Sequence, residues 1–175
     1  MKARLALIAL LLGIAAATPA QADEVFAGIY AHDVDTPLNL RGLGRGTDFQ
    51  LGWRGDRIRA LRAVGAPAPY AFVAVNSAGE THYAAAGISW KFGGRLYVRP
   101  GIGLAVHTGP TDPDRAEPRE AFGSRILFEP ELAIGLEVSE RISVEASLVH
   151  MSHATLLDPH NPGIDNVGVR LNHRF

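Results

Sequence analysis

The chain of 175 residues contains no cysteine, which argues against a small exported domain stapled by disulfides. Its stability must come from ordinary packing or from closed strand pairing. An excess of one charge is also missing. Lys and Arg total 17 against 18 Asp and Glu, and no basic block stands out, so nothing suggests a nucleic-acid partner. After the first 22 residues no stretch reaches 18 uninterrupted apolar residues, which excludes a helical membrane protein.

The opening segment is a different matter. Lys2 and Arg4 precede a short apolar core from Leu5 to Ala17, and "AQA" (Ala20 to Ala22) fits a small-residue cleavage site. The core is too short to span a bilayer as a helix. Residues 1–22 therefore read as a secretory signal peptide, and 23–175 as one mature domain.

What that domain has in plenty is alternation with period two. In "RISVEASLVHMS", Ile142, Val144, Ala146 and Leu148 alternate with Arg141, Ser143, Glu145 and Ser147. Successive strand side chains point to opposite faces, so this is a strand with one apolar and one polar side. The same pattern predicts strands near 24–33, 47–54, 69–76, 81–92, 94–108, 124–138, 141–152 and 165–175. Pro100 and Pro130 interrupt it, and a bulge or bend is expected at each because proline cannot donate to a ladder.

Eight strands, several of them long, suit an antiparallel up-and-down transmembrane β-barrel, with apolar residues on the lipid and charged ones in the lumen. The alternative is a soluble sandwich or lipocalin-like barrel with the opposite polarity. Three features favour the membrane barrel. Arg54, Arg99 and Arg170 lie on the polar faces together with Glu129, Glu131, Glu137 and Glu145, so opposite charges can pair in a narrow lumen. Gly93–Gly94 and Ser139–Glu140 are tight turns, whereas 109–123 and 153–164 are long loops, as expected of the periplasmic and outer ends. Trp53, Trp90 and Phe92, with Tyr70 and Phe72, would form an aromatic girdle at the periplasmic interface, and the chain ends on an aromatic, Phe175. Segment 55–68 is too long for a periplasmic turn. Only a short helix in "DRIRALRAV" offers an explanation.

The stretch "HMSHATLLDPHNPGID" (His150 to Asp165) carries the chemistry. The apolar parity of strand seven continues through Leu148 to His150 and Ser152, which therefore face outward. Asp165 shares the outward parity of Val167, Val169 and Leu171 on strand eight, about 4.8 Å away. The three side chains can thus converge on the outer wall. A neutral His150 could take the Ser152 proton during attack on an ester, with Asp165 orienting the imidazole. A substrate reached from that wall would be a membrane lipid. A metal site built from His150, His153, Asp158, His160 and Asp165 is disfavoured, because His150 and His153 have opposite parities on an extended strand.

At these residues the chain resembles the outer-membrane lipid A 3-O-deacylases of the PagL type. That pattern is His-x-Ser-Asn-Ala, then Asn-x-Gly-Ile followed by Glu, on the last hairpin of an eight-stranded barrel. This chain has "HMSHA" and "NPGID". The resemblance implies an outer-membrane enzyme that needs no cofactor or metal. It would hydrolyse the ester-linked 3-hydroxyacyl chain at position 3 of lipid A, with Ser152 as nucleophile, His150 as base and Asp165 in place of the acid. Two departures stand out. Asp165 is one methylene shorter than the family's Glu, on a loop one residue longer. His153 replaces an Asn that helps position the oxyanion or the hairpin, whereas Asn161 matches the later family Asn. A structural or binding barrel with a vestigial site is the competing reading.

Overall fold

The computed structural model describes residues 23–38, 44–112, 121–156 and 162–175. The expected signal peptide and the loop residues Asp158, His160 and Asn161 lie outside them. Eight strands follow in order: β1 (Glu24–Ala31), β2 (Thr47–Arg54), β3 (Ala68–Asn76), β4 (Tyr83–Ser89), β5 (Leu96–His107), β6 (Ile126–Glu137), β7 (Ile142–Met151) and β8 (Ile164–Arg174). A two-residue ladder at Phe92–Gly93 continues β4 against β5 in the same register. Each strand pairs antiparallel with its sequence neighbour, and β1 pairs with β8 from Glu24↔Arg174 to Ala31↔Val167, so the sheet closes. Closure leaves no free edge, which lipid would not tolerate.

Polarity is inverted relative to a soluble barrel. Outward Ile29, Leu51, Leu104, Ile134 and Val169 are each about half exposed or more, which forms an apolar belt. The lumen holds the charges. Arg170 Nη2 lies 2.9 Å from Glu131, and its Nη1 lies 3.5 Å from Glu145. Arg99 Nε donates to Glu145 over 2.8 Å, Arg54 donates to Glu24, and Tyr70 donates to Glu129. Buried charges survive only when paired, so the lumen is neutralised by its own residues.

Two expectations change. Tyr70 and Phe72 do not join the aromatic girdle. They are buried in the lumen at 2% and 3% exposure, stacked at 6.2 Å between centroids. In β3 both faces are apolar (Ala71, Val73 and Val75 on the outer one), so polarity alone could not assign the parity. The girdle is left to Trp53, Trp90 and Phe92. Nor do the prolines create bulges. The β5–β6 register runs unbroken through Pro100↔Leu132 and Ile102↔Pro130. Pro130 instead leaves a gap in the β6–β7 ladder, which resumes at Phe128↔Ser152 in the same register.

Segment 55–68 acquires an explanation. The β2–β3 ladder continues beyond the barrel through Gly55 N–H to Pro69 O and Ile58 N–H to Pro67 O, at 2.9 and 2.8 Å. It is topped by a 3₁₀ turn, Arg59–Val64, which ends at Gly65 with φ +91°. Trp90 Nε1 donates to Val64 O and pins the turn to the girdle.

Candidate active site

The last hairpin builds the site. On β7, Ser143, Glu145, Ser147, Val149 and Met151 turn inward, which leaves His150 and then Ser152 on the outer wall. On β8 the partner directly across from His150 is Asp165. Side chains of directly opposed residues are about 4.5–5.5 Å apart at Cβ, so even the shorter carboxylate spans the gap. His150 Nδ1 and Asp165 Oδ1 are 2.5 Å apart, and His150 Nε2 and Ser152 Oγ are 3.0 Å apart. The sequence expectation that all three converge outside the barrel is met in the geometry.

The tautomer follows from the partners. An ionised carboxylate can only accept, so Nδ1 carries the proton and Nε2 presents its lone pair to the Ser152 hydroxyl. Asp165 is fully buried, whereas the imidazole keeps 15% of its surface open. The acid is buried, the imidazole is mostly covered, and Ser152 is partly exposed at the end of the relay.

Four features of the site lay beyond the expectations drawn from the sequence. Thr36, in the β1–β2 loop, donates to Asp165 Oδ2. The same loop places Val34 N–H on Asp165 O at 2.8 Å. Gly163, in the NPGI motif, has φ +78°, and a Cβ added there would lie 3.2 Å from His150 Cε1. Glycine thus serves both the turn and the close approach to the imidazole. Pro130, in the gap of the β6–β7 ladder, shares the register level of His150. The proline and the glycine were visible in the sequence, but no periodicity links Thr36 to a residue so far along the chain. Of the other anticipated residues, His153 is fully buried just beyond β7, and Asn161 falls in the undescribed loop.

The sequence profile of the family described as "Lipid A 3-O-deacylase (PagL)" matches residues 33–174, most of the chain. The chain belongs to the PagL family. PagL proteins are lipid A ester hydrolases, and membership places this barrel in the bacterial outer membrane. The structure agrees with that of the outer membrane enzyme PagL, with a TM-score of 0.62 at 23% identity over 87% of this chain and 99% of that one. Neisserial surface protein A matches with a TM-score of 0.61 at 11% identity, covering 87% and 97%. A de novo designed transmembrane β-barrel matches at 0.53 and 10% identity, over 91% and 98%. These likenesses speak for the fold. No curated protein sequence matches.

Proposed function

We propose that the chain removes the 3-hydroxyacyl group from position 3 of lipid A through Ser152, His150 and Asp165. The observation that carries this reading is the relay from Asp165 through His150 to Ser152, 2.5 and 3.0 Å long, on the lipid-facing wall. Ser152 Oγ attacks the ester carbonyl as Nε2 of His150 takes its proton. The tetrahedral intermediate collapses, the bond between the acyl carbon and the sugar oxygen breaks, and the imidazolium protonates that departing oxygen to give the sugar hydroxyl. Water then attacks the acyl-enzyme with His150 again as base, which frees the 3-hydroxy fatty acid and restores Ser152. Asp165 holds the imidazole and stabilises its cation.

The surroundings suit an acylated substrate. Outward Phe128, the register partner of Ser152, and outward Val167, two residues beyond Asp165, flank the relay with apolar surface. An acyl chain can lie along that wall without leaving the hydrocarbon phase. His153 and Asn161 are assigned to positioning of the oxyanion or the hairpin, by their place in the family motif. The shorter acid does not weaken the reading, since direct cross-strand pairing brings Asp165 within reach of the imidazole.

The test is mass spectrometry of lipid A incubated with refolded protein and with Ser152→Ala. Wild type should release one 3-hydroxy fatty acid per lipid A and the variant none. Intact lipid A after incubation with a correctly folded wild type would instead identify a barrel with a vestigial site.

A further inference from the structure

We infer that Thr36 is a positioning residue that locks the carboxylate of Asp165 in its working orientation, an inference that rests on the reading of Asp165 as the acid. The two carboxylate oxygens have separate partners. Oδ1 faces His150 Nδ1 at 2.5 Å, and Oδ2 accepts from Thr36 Oγ1. An aspartate held at one oxygen can still turn about its terminal torsion, which is broad and roughly two-fold. Held at both, it presents a fixed plane to the imidazole.

Thr36 is itself prepared for this task. Its Oγ1 accepts Leu38 N–H at 3.0 Å, which leaves the hydroxyl proton for the carboxylate. The loop that carries it is tied to β8 just before the contact. Val34 N–H donates to Asp165 O at 2.8 Å, and Asp33 N–H donates to Asn166 Oδ1 at 2.8 Å. Gly44 N–H returns to Asp33 Oδ2 at 2.8 Å and closes the loop on itself. The fully buried carboxylate also needs this donor on its own account, because a buried charged oxygen without one is costly. Glutamate would carry the carboxylate one methylene further along. The strap and the shorter acid therefore fit one another.

The experiment compares Thr36→Val, Thr36→Ser and Asp165→Ala, each alone, and Thr36→Val combined with Asp165→Ala, by turnover of lipid A in mixed micelles. Folding is checked by heat-modifiable migration. Thr36→Val keeps the side-chain shape and should lower kcat roughly 10- to 100-fold with KM unchanged, the loss of one hydrogen bond to a charged group. Thr36→Ser should restore most of it. In the Asp165→Ala background Thr36→Val should cost nothing further, because its target is gone. Wild-type kcat in Thr36→Val, or an equal loss in both backgrounds, overturns the inference while leaving the acid assignment intact. Wild-type kcat in Asp165→Ala alone removes the acid assignment and this inference with it.

Discussion

The lumen and the outer wall of this barrel hold similar polar side chains in opposite arrangements. Inside, Glu131 and Glu145 share Arg170, and Arg54 and Arg99 add further cationic contacts. Each carboxylate meets permanent cations, and the group is closed on itself. Outside, Asp165 meets one imidazole and one hydroxyl, and the imidazole continues to Ser152. An arginine cannot serve as a base, because it stays protonated in proteins, whereas a neutral imidazole can take and return a proton. The difference separates structure from chemistry. A cluster saturated with arginine holds its charges fixed, whereas an imidazole set between a carboxylate and a hydroxyl can pass a proton.

That contrast can be broken from either side. The largest expected effect is His150→Ala, which should lower deacylation on the order of 10⁴-fold or more, because without its base Ser152 is a poor nucleophile. Its heat-modifiable migration should be unchanged. Undiminished fatty-acid release would remove His150 from the mechanism. Arg170→Met should do the reverse. It strips Glu131 and Glu145 of their shared partner, and destabilisation of about 3–5 kcal/mol is expected in urea unfolding from vesicles. Deacylation by the fraction still folded should continue. An unaltered unfolding midpoint would show that the lumen does not depend on this arginine.

A smaller effect is expected at the lipid face itself. Val169→Arg places a charge on the apolar belt and should cost ~2–4 kcal/mol if it lies near the bilayer midplane. A folded, detergent-free monomer of the mature chain would contradict the placement of that face in lipid. The mildest change is His153→Asn, which returns the residue of the family pattern and should preserve or raise activity. A large loss in the deacylation assay would mean that this chain has recruited the histidine for a role of its own.

Much of this arrangement was legible before any coordinates, and the reason is polarity. In β7 and β8 one face is apolar and the other charged or small, so parity alone placed His150, Ser152 and Asp165 on a common outer wall. β3 offers no such contrast, and Tyr70 and Phe72 were accordingly assigned to the wrong side. Tyr70 is drawn inward by Glu129, a partner 59 residues away that no local pattern announces. Thr36 was invisible for the same reason, since its tie to Asp165 joins opposite ends of the chain. The prolines were recognised as ladder breakers, but their expected bulges assumed an inserted residue. A missing N–H only leaves a gap. The extension of the β2–β3 hairpin is hidden because Gly55 and Pro67 read as part of a loop, although backbone hydrogen bonds run on from Gly55 to Pro69 and from Ile58 to Pro67.

The strap formed by Asp33, Val34 and Thr36 has a bearing on when the molecule becomes competent. The hairpin of β7 and β8 is local in sequence and can bring His150 to Asp165 by itself. The strap follows the first strand, and it meets Asp165 and Asn166 only across the junction where β1 pairs with β8. That junction is the one between the two ends of the chain, so it exists only in a finished ring. A polypeptide still in transit to the membrane carries Ser152 and His150 without the contacts of the strap to Asp165. The contacts that hold both oxygens of Asp165 and its carbonyl are therefore complete only when the circumference of the barrel is.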